Sequence, residues 1–173
     1  MVNAAIEYFE CADDKVFFKL FFLSLEIQRM PKTFGTDYSR PADAPYLSVV
    51  TPSTHDMSTI RGWWTEDRAL IHQFYNRELN QPGEAPGEAS PAIVAGIIRQ
   101  HLASPAMWSI FQLQDLLGMD DRLRRAEVES ERINQPANPT HYWRYRMHLT
   151  LEQLLKADEF NGQLSQMFRE NGR

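Results

Sequence analysis

The sequence predicts an α/β chain, rich in helix, with few and short parallel strands. Three observations lead there. Short apolar runs bordered by prolines or turn residues recur at Leu23–Ile27, Tyr46–Val50 and Met107–Phe111. Longer segments with apolar residues at helical spacing lie between and after them, several opened by a capping residue. The two kinds alternate, as they do where helices cross between parallel strands. Three strands are too few to complete such a sheet and leave open edges, so the chain is expected to be marginally stable or oligomeric by itself.

Taken in order, Ala4 to Cys11 has helical character, and Val16 to Phe22 reads equally as a buried strand or a helix. Leu23 to Ile27 alternates and ends at Met30-Pro31. A loop with Gly35, Pro41 and Pro45 leads to the run Tyr46–Val50, which Pro45 and Pro52 bound. Thr65 can cap a helix from Glu66 to about Leu79, with Leu70, Ile71, Phe74 and Tyr75 on its apolar face. Asn80 to Ala89 is rich in turn residues and reads as an exposed loop. Ser90-Pro91 then starts a helix, because proline loses no needed N–H at the first helical position. Ile93, Val94, Ile97, Ile98 and Leu102 carry its period to about Ala103, and Ser104-Pro105 precedes the third strand. Thr150 with Gln153 forms a capping-box pattern. It opens a terminal helical region using Leu151, Leu154, Leu155, Phe160, Leu164, Met167 and Phe168.

Composition narrows the function classes. Hydrophobic residues make up 43% of the 173 and charged residues 24%, which excludes disordered, collagen-like and fibrous chains. Eighteen Lys and Arg face 23 Asp and Glu, a net charge of −5, so no general basic face is expected for nucleic acid. Cys11 is the one cysteine; it can form no intramolecular disulfide and no Cys-based metal cluster, and a reducing compartment is the simple reading. The apolar block Val16–Leu23 is broken by Lys19 and falls far short of the ~20 residues a membrane span needs. Glu7, Glu10, Asp13 and Asp14 precede it, where a secretory signal would be positive. The expectation is a cytoplasmic chain with no membrane and no nucleic-acid partner.

Gly-x-Gly-x-x-Gly, Gly-x-x-x-x-Gly-Lys, His-Glu-x-x-His and Gly-x-Ser-x-Gly are all absent from the sequence. The most informative segment runs from Ser48 to Trp64, where an apolar strand passes into a polar turn holding His55 and Asp56. Loops at the carboxyl ends of parallel barrel strands converge, and active sites are assembled there. The competing reading has Asp56 capping the next helix by accepting an N–H from Ser58 or Thr59. A second segment, Glu131 to Arg146, is stiffened by Pro136 and Pro139 and presents Tyr142, Trp143 and Arg146. It suits a sugar, whose apolar ring faces stack on aromatics; alternatively Trp143 anchors the loop in the core. Trp63 and Trp64 are adjacent and cannot share one helix face, so one is expected inward and the other toward loop or solvent.

Leu25–Pro31, Tyr46–Trp64, Ser104–Gly118 and Arg132–Arg146 resemble the C-terminal part of 4-α-glucanotransferases, the amylomaltase or disproportionating enzymes of glycoside hydrolase family 77. The likeness is greatest to the branch holding the plant cytosolic disproportionating enzyme and its bacterial relatives. The runs Thr51–Trp64 and Met107–Gly118 carry it most specifically. The resemblance implies a portion of a (β/α)₈ TIM barrel, about strands 6 to 8, over residues 23–173, with 1–22 an unmatched leader from a truncated or rearranged frame. It implies transfer of α-1,4-glucan segments between maltooligosaccharides with retention of configuration, and neither cofactor nor metal.

On the same resemblance, Asp56 matches the carboxylate that stabilises the transition state. His55, Trp63, Gln114, Asp115, Asn134, Pro136, Trp143 and Arg146 match substrate-binding positions. The family's nucleophile motif, like Arg-Ile-Asp-His, and its acid/base motif, like Glu-Asp-Leu-Gly, do not occur here. Without them neither a covalent intermediate nor general-acid assistance is available. The expected partners are a maltooligosaccharide or α-glucan and the N-terminal portion of the barrel. The alternatives are a non-catalytic glucan-binding relic and a structural partner of a separate barrel fragment.

Overall fold

The computed structural model describes residues 23–173. The expected helix over Ala4–Cys11, the segment Val16–Phe22 and the leader 1–22 lie outside the described residues. Strands β1 (Ser24–Ile27), β2 (Ser48–Thr51) and β3 (Trp108–Ser109) form a sheet in that order, parallel throughout, as alternation with helices predicted. Ser24 pairs with Ser48, Ile27 with Thr51, and Val49 with Trp108. The third strand is shorter than expected. Its ladder continues through the Ile110 N–H to the Val50 carbonyl (3.0 Å), but the Phe111 ring turns into the core beside Phe168.

Helices α1 (Ile60–Trp63), α2 (Arg68–Arg77) and α3 (Pro91–Leu102) connect β2 to β3; α4 (Leu113–Leu117), α5 (Leu151–Leu155) and α6 (Asp158–Glu170) follow. The helix expected from Glu66 begins later. Thr65 is not its cap, because its hydroxyl donates to the Gly62 carbonyl (2.9 Å) at the end of α1. Asp67 does the capping, accepting the Leu70 N–H at 3.0 Å. Ser90 caps α3 as its Ser-Pro pair predicts. Thr150 and Gln153 complete a reciprocal capping box. The terminal helical region is made of two helices, parted at Lys156–Ala157. Phe160 and Met167 reach the core, whereas Leu151 and Leu155 stay in solvent.

The core gathers one face of each longer helix: Ile71 and Phe74 of α2, Ile93, Val94, Ile97, Ile98 and Leu102 of α3, and the buried pair of α6. Trp63 and Trp64 are both buried, 6% and 0% exposed; of the two outlooks expected for the second tryptophan, loop or solvent, Trp64 takes the loop, donating to the Pro86 carbonyl, and neither ring reaches solvent. A single helical turn can bury adjacent residues when it is covered from two directions. Trp63 meets Tyr38 and Phe74 edge-on, at 6.3 and 4.9 Å between centroids, and Trp64 meets Tyr75 at 6.2 Å. Each such pair adds roughly 1 kcal/mol beyond area burial. The loop 80–89 is mostly exposed yet pinned: Ala85 and Ala89 are buried in the core, and Trp64 Nε1 and Arg68 both donate to the Pro86 carbonyl.

One sheet face packs Val50 against Ala44 and Ala106. The other carries Leu25, Val49 and Trp108 side by side, with Leu25 and Trp108 exposed. Parallel sheets ordinarily bury both faces. Among the described residues no helix is long and apolar enough to cross a membrane.

Candidate functional site

Beyond β2 the chain makes a polar turn, Pro52 to Ser58, closed by a bond from the Met57 N–H to the Thr54 carbonyl (3.0 Å). Asp115, buried on α4, holds this turn at both ends. Its Oδ1 accepts the Ile60 N–H at 2.7 Å and its Oδ2 accepts the Ser53 hydroxyl. Gln112 adds two bonds, from Nε2 to Ser53 Oγ (2.5 Å) and to the Thr54 carbonyl (3.0 Å). Arg29, at the end of β1, donates to the Ser58 hydroxyl (3.0 Å) and carbonyl while lying over the Trp63 ring. Burial pushes the Asp115 carboxyl up to about 6, against the opposing pull of the Ser53 hydroxyl, the Ile60 N–H and Arg29. It lowers the Arg29 guanidinium to about 10. A turn clamped at its base presents the residues at its tip, and those are His55 and Asp56.

Asp56 does not cap a helix. Thr59 caps α1 by accepting the Gly62 N–H (3.3 Å), and the Asp56 side chain is half exposed. Its Oδ1 accepts from Asn134 Nδ2 at 2.7 Å, and its Oδ2 lies 3.3 Å from His55 Nε2. The His55 ring is 4.8 Å from the Trp143 ring, centroid to centroid, and Trp143 is 60% exposed. Four of the residues singled out from sequence, His55, Asp56, Asn134 and Trp143, therefore share one surface patch.

Glu131 is what brings Asn134 there. It is 2% exposed; its carboxylate accepts from Arg61 Nη1 and from Thr59 Oγ1 (2.8 Å), and its carbonyl accepts from Gln114 Nε2 (3.1 Å). The loop beyond is braced internally, by Asn138 N–H to the Gln135 carbonyl (2.8 Å) and His141 Nε2 to the Ile133 carbonyl (3.0 Å). Glu131, Ser53 and Gln112 were not singled out as site residues. No periodicity or motif marks a pairing such as Arg61–Glu131 across 70 positions.

The other expected contacts lie elsewhere. Trp63 is a core residue, and Gln114 and Asp115 are buried beneath the patch, so these three brace the site rather than face a ligand. Pro136 is exposed in the loop. Arg146 lines a neighbouring cavity and its carbonyl accepts from Arg125. The patch itself offers a carboxylate held by an amide, an imidazole beside it and an open indole face. That set can accept hydroxyl protons and stack on an apolar ring.

Comparison with known proteins places the chain in a family. The family model described as 4-alpha-glucanotransferase, glycoside hydrolase family 77, matches residues 14–151. The chain belongs to this family. The glucanotransferase match begins within the segment 1–22 and takes in the polar turn and the loop bearing Asn134 and Trp143. The 4-alpha-glucanotransferase DPE2 of Oryza sativa subsp. japonica is 38% identical over 151 residues, covering 87% of this chain. The 4-alpha-glucanotransferase of Aquifex aeolicus is 28% identical over 73% of this chain. The chain spans only 16% and 26% of the lengths of these two relatives. In fold it is similar to the amylomaltase from Streptococcus agalactiae solved in complex with acarbose, with a TM-score of 0.65 at 19% identity, over 94% of this chain and 30% of that one.

Proposed function

We propose that residues 23–173 form the C-terminal portion, about strands 6 to 8, of a (β/α)₈ glucanotransferase barrel that moves α-1,4-glucan segments between maltooligosaccharides by a retaining double displacement. The 2.7 Å bond from Asn134 to Asp56, in one patch with His55 and Trp143, carries this reading. It joins residues 78 positions apart at the carboxyl end of a parallel strand, where barrel enzymes assemble their sites. The open sheet face of Leu25, Val49 and Trp108 supports it too, since the remaining strands of a barrel would cover such a face.

In this mechanism Asp56 accepts the hydroxyls of the reacting sugar and offsets positive charge on the oxocarbenium-like transition state. Asn134 holds the carboxylate in position, His55 adds a donor or acceptor, and Trp143 stacks on a sugar ring. The nucleophile and the acid/base carboxyl come from other strands, because neither motif occurs in these 173 residues. The chain alone therefore has no turnover. Maltotriose disproportionation should stay at the level of an Asp56→Asn control and rise when a polypeptide with the N-terminal strands and both motifs is added. Turnover by the chain alone, or none in the mixture, refutes the assignment.

A second reading, a non-catalytic maltooligosaccharide binder, draws on the exposed Trp143 indole. Calorimetry with maltoheptaose separates the two. Saturable heat that Trp143→Ala abolishes, with no turnover in the mixture, selects the binder. The exposed apolar sheet face alone would favour a purely structural partner of the other barrel fragment; absence of both heat and turnover selects that.

A further inference from the structure

The loop that carries Asn134 and Trp143 has a second side. Between it and the segment 125–133 lies a cavity of about 540 Å³ whose wall includes Arg125, Arg132, Arg144 and Arg146, with Tyr142 and Tyr145; Glu129 is the sole acidic residue of that wall. Four arginines thus line one concavity in a chain of net charge −5. Among the described residues none of the four is paired with a carboxylate, whereas five of the other ten arginines are. Arg125 Nε, Arg132 Nε and Tyr145 Oη are three of the five buried side-chain polar atoms without a partner there. Arg125 lies over the Tyr145 ring and Arg144 over the Tyr142 ring, 5.3 and 5.7 Å from the centroids.

Buried donors are almost always satisfied, and like charges gathered in a concavity repel until an anion joins them. Arg125 gives its Nη groups to Ser130 Oγ (3.5 Å) and the Arg146 carbonyl and keeps only Nε free, whereas the guanidiniums of Arg132, Arg144 and Arg146 make no hydrogen bond among the described residues. Such forks suit tetrahedral oxyanions, which they bind through paired N–H groups. The cavity is also far larger than a bare anion needs, within the roughly 300–1,000 Å³ of small-molecule sites. We propose that this cavity binds a phosphate monoester carried on a sugar. The anion site stands on the arginines alone, while the choice of a sugar as its carrier rests on the glucan-transferring function proposed above.

Calorimetric titration of the full chain at low salt tests it with glucose 6-phosphate, inorganic phosphate and glucose. Saturable heat is expected with glucose 6-phosphate, weaker with phosphate and absent with glucose. Arg132→Gln should weaken glucose 6-phosphate about tenfold by removing a fork. Tyr145→Phe, which deletes one donor and keeps the ring under Arg125, should weaken it less. Arg99→Gln, at an exposed arginine of α3, should leave it unchanged, with thermal melts checking that each variant folds. No saturable heat at millimolar glucose 6-phosphate, or equal weakening in Arg99→Gln and Arg132→Gln, overturns the site. The source is read with a phosphorylated dextrin. Tighter binding of it than of glucose 6-phosphate, lost after phosphatase treatment, supports a glucan-borne ester; the reverse order supports a free sugar phosphate.

Discussion

Glu131→Ala should cost this chain a large part of its stability and free the loop that reaches Asp56. Both partners are inside the protein, with the Arg61 side chain 7% exposed and that of Glu131 2%. Truncating Glu131 leaves Arg61 with the Arg125 carbonyl, 2.8 Å from Nη1, and takes the acceptor from the Thr59 hydroxyl. Removing one member of a buried ion pair costs about 3–5 kcal/mol, because the other charge stays desolvated. That is a severe loss against the roughly 5–15 kcal/mol by which domains are stable. Glu131→Gln, which still accepts hydrogen bonds, should cost less. Replacing both partners, as Arg61→Met with Glu131→Leu, should recover most of the loss, since no charge is then stranded. Urea unfolding followed by far-UV circular dichroism, run as a double-mutant cycle, gives the coupling energy. A cost below about 1 kcal/mol for Glu131→Ala, the scale of an exposed pair, or an additive double variant would show that the pair does not hold the loop.

His101 and Asp115 should oppose each other in their pH dependence. Burial lowers the His101 imidazole to about 4, so the unfolded chain binds a proton that the folded chain refuses, and stability is lost as pH falls from about 6.5 toward 4, by about 3 kcal/mol. Burial raises Asp115 to about 6, so the folded chain keeps a proton that the unfolded chain sheds, and stability is lost as pH rises from about 3.9 to 6, again by about 3 kcal/mol. Asp115→Asn should therefore show a steeper acid loss across that window than the parent; parallel urea-midpoint profiles would refute the opposition. Gly62→Ala would place a Cβ 2.9 Å from the Ser58 Cβ, on the segment that Arg29 holds. A loss of about 1–3 kcal/mol is expected, and an unchanged melting temperature contradicts it. The open sheet face should leave the isolated chain marginal or oligomeric, an expectation that a sharp monomeric transition above ~65 °C overturns.

What could be read from the sequence is what neighbours along the chain decide. Ser90-Pro91 and Thr150 with Gln153 announce helix starts because a cap bonds an N–H two or three residues ahead. The alternation of Leu23 to Ile27 marks a strand because successive side chains point to opposite faces. Asp56 stood out for the same kind of reason, as a carboxylate in a polar turn directly after a strand. Its role did not, for capping and substrate contact begin with the same local pattern.

Tertiary structure excluded the cap, which Thr59 supplies. Asp115 and Asp56 are both acidic residues shortly after an expected strand, yet one is buried as a clamp on Ser53 and Ile60 while the other is half exposed beside Asn134. Trp63 went inward with Trp64 because Tyr38, from the β1–β2 loop, and Phe74 of α2 close over α1 from two sides. Arg61 chose Glu131 across 70 positions. Local signals reach only as far as a turn of helix or a strand pair. Which carboxylate is dry and which meets solvent depends on segments that become neighbours only when the chain has packed.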